Sequence, residues 1–126
     1  MRVLIDTHVF LWMATEPEKL SERARDVCGS ELLVLSVASV WEIGIKHHIG
    51  RLTLPEAPRV YLDRQIRIAG VSLLPIHYRH ALTASALPLH HKDPFDRILA
   101  AQCIEEQIPC VSRDASLSDY GVELIW

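Results

Sequence analysis

Five short apolar runs, each continuous rather than alternating, constrain this chain more than any other feature. They are Arg2–Ile5, Leu32–Leu35, Val71–Leu74, Pro109–Ser112 and Val122–Ile125. A strand with one wet face alternates apolar and polar side chains, whereas a strand apolar throughout is covered on both faces. Stretches of helical periodicity lie between the runs, so the chain reads as an α/β domain with a mainly parallel sheet. No internal repeat, low-complexity tract or linker divides residues 1–126, and one domain is expected.

The helix boundaries follow from capping chemistry. Thr7 is placed as the cap of a first helix reaching about Ala14, and Ser21 opens a second that stops at Gly29. Ser36 opens Val37–Ile49, with Val37, Trp41, Gly44, Ile45 and Ile49 marking an inward face and Gly50 the stop. Further helices are predicted near Pro58–Ala69, ending at Gly70, and over about Tyr78–Ala86. The last begins at Asp93-Pro94 and runs to Glu106, packing through Ile98, Leu99, Ala101, Cys103 and Ile104.

Composition excludes several classes. An apolar share of 49% suits a packed core and not a disordered chain. No apolar run approaches the ~18–20 residues of a membrane span. The stretch before Asp6 is too short for a signal peptide. Cys28, Cys103 and Cys110 form no CxxC pair and sit in apolar contexts, which predicts buried thiols in a reducing, cytoplasmic setting. The formal net charge of −3 lacks the basic surplus usual in phosphate binders. An enzyme that stores its acids in one cleft can still bind phosphate through metal ions and a local basic rim.

Acids recur where a parallel sheet forms its sites, outside the carboxyl ends of the strands. Asp6 directly follows the first run, and Asp114 stands just beyond Ser112. Glu42 lies in the second turn of the helix after Leu32–Leu35, and Asp96 in the first turn after Asp93-Pro94. Each has a plain structural explanation. Asp6 and Asp93 are good helix caps, Asp93 with Asp96 resembles a capping box, Glu42 and Lys46 make an ordinary i,i+4 pair, and Asp114 suits a turn. What these explanations leave open is four acids at one end of one sheet. Two carboxylates ~5 Å apart repel by about 3 kcal/mol at an effective dielectric near 20. Shared protons or a divalent cation would offset that cost, and oxygen-only ligands suit Mg²⁺ or Mn²⁺.

At these residues the chain resembles the PIN-domain ribonucleases, and among them the VapC-type toxins of toxin–antitoxin pairs. The resemblance rests on Leu4-Ile5-Asp6-Thr7-His8, on Ser36-Val37-Ala38-Ser39-Val40-Trp41-Glu42-Ile43, on His91-Lys92-Asp93-Pro94-Phe95-Asp96-Arg97-Ile98-Leu99-Ala100-Ala101-Gln102, and on Val111-Ser112-Arg113-Asp114 with Tyr120-Gly121-Val122. It implies a three-layer α/β/α fold with Asp6, Glu42, Asp96 and Asp114 as catalytic, metal-binding acids. Asp93 stands as the alternate to Asp96. It further implies RNA hydrolysis assisted by Mg²⁺ or Mn²⁺, a cognate antitoxin that inserts a segment into the acidic cleft, and a homodimer.

Other polar and aromatic residues have narrower roles. Thr7 and Ser112 are placed to hydrogen-bond carboxylates, and Lys46, Lys92, Arg97 and Arg113 are candidates for a phosphate-binding rim. His47-His48 suit a helix C-terminus, and His90-His91 read as surface loop residues. Trp12, Trp41 and Trp126 read as core or interface aromatics. Two other functions are compatible with an α/β chain of this kind. A phosphohydrolase with Asp6 as nucleophile would want an acid and a glycine just downstream, where His8-Val9-Phe10 stands. A non-catalytic binding module would not need all four acids.

Overall fold

The computed structural model describes residues 1–89 and 93–126, so His90, His91 and Lys92, named above, lie outside the described residues. Five strands form one sheet: β1 (Arg2–Ile5), β2 (Leu32–Ser36), β3 (Ser72–Leu74), β4 (Cys110–Val111) and β5 (Leu124–Ile125). Their order is β3-β2-β1-β4-β5, and all four pairings are parallel. The helices are α1 (Thr7–Thr15), α2 (Glu22–Ser30), α3 (Val37–His48), α4 (Pro58–Ala69), α5 (Tyr78–Ala86) and α6 (Pro94–Glu106). Short 3-10 turns cover Pro17–Lys19 and Ala115–Tyr120.

Strand alternation divides the interior into two cores. Val3, Ile5, Leu33 and Leu35 pack with Val9 and Phe10 of α1, Ala24 of α2, Ile43 of α3 and Leu62 of α4. The intervening Leu4 and Val34 pack with Leu99, Ala100 and Cys103 of α6, together with Cys110, Leu117 and Val122. Successive side chains of a strand point to opposite faces, so a strand flanked by helices on both sides must be apolar at every position. This is the three-layer α/β/α arrangement expected. No helix among the described residues is long and apolar enough to cross a membrane.

Register and strand order place the site. Ile5 lies opposite both Leu35 of β2 and Val111 of β4, so Asp6, Ser36 and Ser112 leave the sheet side by side. The chain moves from β1 outward to β2 and β3, then returns to the other side of β1 for β4. The carboxyl ends of β1 and β4 therefore flank a topological switch point, where open α/β sheets bind their ligands.

Several local expectations change. The cap of α1 is Asp6, whose carboxylate accepts the Val9 amide at 2.8 Å, and Thr7 is the first helical residue. Helix α2 passes through Gly29 to Ser30, whereas Gly70, at φ +67°, ends α4 as expected. The face of α3 that turns inward holds Ala38, Ser39, Glu42 and Ile43, and Val37, Trp41, Ile45 and Ile49 are exposed. Apolar spacing finds a stripe but does not say which of two stripes meets the core. Here small residues and Glu42 face α1 and the cleft. Ile104 is likewise partly exposed, and the buried side of α6 runs from Leu99 to Cys103 and includes Gln102. Cys103 and Cys110 are buried free thiols, whereas Cys28 is only partly covered.

Leu99 is 1% exposed at the centre of the second core. Leu99→Ala is expected to lower the unfolding free energy by about 2–5 kcal/mol. This should appear as a fall in the urea midpoint at unchanged m-value. A loss below about 0.5 kcal/mol would contradict the packing described.

Candidate active site

At the switch point lies a cleft of about 310 Å³ lined by Asp6, Glu42, Asp93, Asp96 and Asp114, with Thr7, His8, Trp12, Lys46 and Arg113. All four acids expected from the sequence, and the alternate, share it. Each is delivered by a different local device. Asp6 caps α1 at the end of β1, and its other oxygen accepts the Ser112 hydroxyl at 2.5 Å. Ser112 in turn accepts the Asp114 amide at 3.0 Å, joining the two strand ends through one hydroxyl. Asp114 caps the 3-10 turn Ala115–Tyr120, accepting the Ser116 amide and hydroxyl at 3.0 and 2.6 Å.

Glu42 is 5% exposed and meets two partners. Thr7 Oγ1 donates to its Oε1 at 2.6 Å and lies 2.9 Å from Ser39 Oγ, while Lys46 Nζ donates to its Oε2 at 2.7 Å. The Glu42–Lys46 pair is therefore more than an exposed helix pair, because the acid end is buried and the cation lines the cleft. Asp93 caps α6 through the Phe95 amide at 2.9 Å, and Asp96 sits in the first turn of that helix. Both positions are those expected from the sequence.

The other expected residues separate into two groups. Thr7 and Ser112 do bond carboxylates, and Lys46 and Arg113 line the cleft. Arg97 is spent elsewhere, donating to the carbonyls of Ala84, Leu87 and Pro88 at 2.8–2.9 Å and so tying the end of α5 to α6. Trp12 and Trp126 pack against the first core as expected, but Trp12 also lines the cleft, with the Arg113 guanidinium 5.1 Å from its ring centre and His8 5.6 Å away. Trp41 is 62% exposed and meets the edge of Phe95. Ser39 and His8 are site residues that sequence reasoning missed, because a lone serine or histidine carries no periodic signal.

The donors are carboxylate oxygens, which suit a hard divalent cation. As the side chains stand, no three His, Cys, Asp or Glu among the described residues are gathered on one ion position. Asp6 faces Val9 and Ser112, and Glu42 faces Thr7 and Lys46. The chemistry of the donor set fits such a cation, provided that Glu42 exchanges Lys46 for it.

Burial pushes the Asp6 carboxyl above its ordinary value of 3.8. The Ser112 and Val9 hydrogen bonds and nearby His8 pull it back, and Asp114 adds to the rise. The folded protein thus holds this proton to higher pH than the unfolded chain does. Stability falls as pH rises from about the ordinary value through the raised one, and the loss persists above it. Asp6→Asn keeps a good cap and escapes this cost. Its thermal midpoint should exceed the parent's at pH 7, and the difference should close as pH drops below the ordinary carboxylate value. Equal midpoints at neutral pH would contradict burial as the dominant influence on Asp6.

Comparison with known proteins agrees with this geometry. A family model described as the PIN domain matches residues 3–123. Ribonuclease VapC16 of Mycobacterium tuberculosis is 38% identical over 48 residues, a match covering 38% of this chain and 34% of that protein. The matched segment thus spans about a third of that relative's length. Among solved structures, VapBC2 from Rickettsia felis, bound to a DNA fragment from its promoter, superposes with a TM-score of 0.71 at 11% identity, covering 98% of this chain and 97% of the other. FitAcB from Neisseria gonorrhoeae gives 0.64 at 20% identity over 98% and 96%. At such identities the likeness is one of fold. The family model spans all four candidate acids, and this chain belongs to the PIN domain family.

Proposed function

We propose that the chain is a metal-dependent ribonuclease that hydrolyses RNA phosphodiesters at the acidic cleft. The observation that carries the reading is the convergence of Asp6, Glu42, Asp96 and Asp114 on one cleft at the switch point of a PIN-family sheet. Asp6, Glu42 and Asp96 would hold Mg²⁺ or Mn²⁺, with Asp114 completing the set and Asp93 serving mainly as the cap of α6. A bound divalent cation supplies activation of water and neutralisation of charge on the phosphate. The chain's own groups do the rest. Thr7 and Ser112 fix the carboxylate oxygens of Glu42 and Asp6. Lys46 and Arg113 are cations placed to meet a phosphate entering the cleft. Asp6 as a covalent nucleophile is disfavoured, because the acid and glycine such a site wants just downstream are replaced by His8-Val9-Phe10.

A role as the toxin of a toxin–antitoxin pair goes with this reading. Its support is the local likeness to VapC16 and the shared fold with VapBC2 and FitAcB. The antitoxin would be a protein that covers the acids with a cationic segment. Self-association belongs here too: Val37, Trp41, Ile45 and Ile49 leave an apolar stripe on α3 that a second copy would cover.

The purified chain should cut single-stranded RNA in Mn²⁺ or Mg²⁺, leaving 5′-phosphate and 3′-hydroxyl ends, and EDTA should abolish cutting. Asp96→Asn should slow cleavage ~100–1,000-fold, equivalent to ~3–4 kcal/mol of transition-state stabilisation. Asp93→Asn, which still caps α6, should keep most activity. Cutting that persists in EDTA, 2′,3′-cyclic phosphate ends, or the reverse order of the two variants would overturn the assignment.

A further inference from the structure

The acidic cleft shares a wall with a second cavity. Thr7, His8 and Lys46 line both, and the second is completed by Leu11, Ile43, Arg51 and Leu52 around about 350 Å³. That volume falls within the range of small-molecule sites, about 300–1,000 Å³. Its character is opposite to that of the cleft, for no acid among the described residues lines it. Leu11, Ile43 and Leu52 make an apolar floor, and Lys46 and Arg51 put two cations on a rim that His8 completes.

The turn after α3 builds this cavity. Gly50 adopts φ +77°, a conformation that favours glycine, and its amide donates to the His47 carbonyl at 3.1 Å. The Arg51 and Leu52 amides then both donate to the Lys46 carbonyl, at 2.8 and 3.1 Å. The chain is folded back on the helix end, which sets Arg51 and Leu52 beside Lys46. His47 Nδ1, 3.3 Å from the Leu52 carbonyl, supports the same turn.

We propose that this second cavity is a nucleotide subsite. It takes the base and ribose of the residue adjoining the scissile phosphate on its apolar floor, and pairs a backbone phosphate with Arg51. The proposal rests on the ribonuclease reading of the cleft and extends it to how the strand is held. Charge separates RNA from a protein segment as the occupant. A segment that covers the acids must be cationic, and no acid among the described residues lines the second cavity to meet it, while Arg51 opposes it. RNA brings an apolar base face together with an anion, which is the pairing that floor and rim require.

The test is binding of a fluorescein-labelled single-stranded RNA oligonucleotide, followed by anisotropy over a range of salt concentrations. EDTA is present throughout, so nothing is cut. Arg51→Gln, at an exposed position, should weaken binding about ten-fold, or ~1.4 kcal/mol. It should also reduce the salt slope by about 0.7, as expected when one phosphate of a single strand is no longer neutralised. Arg51→Lys should restore the slope. Leu52→Glu should weaken binding further, and Arg23→Gln on α2 should match the parent. An unchanged slope in Arg51→Gln overturns the subsite, as does a parent that binds no RNA. Tighter binding of a lysine-rich peptide by Arg51→Gln, with RNA binding unaltered, assigns the cavity to a protein segment and also overturns it. Failure of the activity reading is distinguishable: a parent that binds RNA through Arg51 but never cuts it in Mn²⁺ keeps the subsite and loses the ribonuclease.

Discussion

Parallel pairing of β1 with β4 is the constraint on which the rest of the molecule depends. It sets Ile5 level with Val111, so Asp6 and Ser112 emerge together and the Ser112 hydroxyl reaches the Asp6 carboxylate. The other oxygen of Asp6 starts α1 through the Val9 amide. One side chain thereby fixes where α1 leaves the sheet, and α1 carries Thr7 to Glu42 and Trp12 to the cleft wall. A slip of one residue in this register would send the apolar set of β1 to the wrong cores and separate Asp6 from Ser112.

Charge in the cleft is offset locally and only in part, two cations standing among five acids. The chain is acidic overall, yet its cations stand among the acids: Lys46 on Glu42, and Arg113 above Trp12. Without an ion, Lys46 and the hydroxyls of Thr7 and Ser112 offset part of the repulsion between carboxylates. On the proposed account Glu42 would hold a divalent cation in place of Lys46, whose ammonium would then be available to a phosphate. Lys46 stands on the wall shared with the second cavity, so its release would serve both. The strain of gathering acids and the capacity to bind an ion then have one origin.

The sheet was legible in the sequence because its strands are buried on both faces, which leaves an unbroken apolar run. The acids were legible because strand ends and helix starts locate them without any knowledge of side-chain contacts. What could not be read were choices between equivalent local patterns. On α3 the stripe of Val37, Trp41, Ile45 and Ile49 is as regular as the buried face, and only tertiary packing turns it outward. Asp6 and Thr7 are both good caps, and the register decided between them. Arg97 looked like a phosphate ligand by charge, but the end of α5 supplies it with three carbonyls. Of the buried polar pairings, those of Thr7 and Ser112 with carboxylates followed from their places beside the acids, but pairings between distant helices did not. His80, fully buried, accepts the His77 amide at Nδ1 and bonds Glu106 through Nε2, joining α5 to α6 across 26 residues of sequence.

The central claim is that these carboxylates together form a site for a divalent ion. Titration with Mn²⁺, followed through the electron paramagnetic resonance signal of the free ion, tests it without any RNA. The account predicts saturable uptake of about one or two ions per chain. Uptake should be strongly weakened in Asp6→Asn and in Asp96→Asn, and little changed in Asp93→Asn. Absence of saturable uptake by the parent, or uptake undiminished in both weakened variants, would mean that the acids are helix caps that happen to share a cleft.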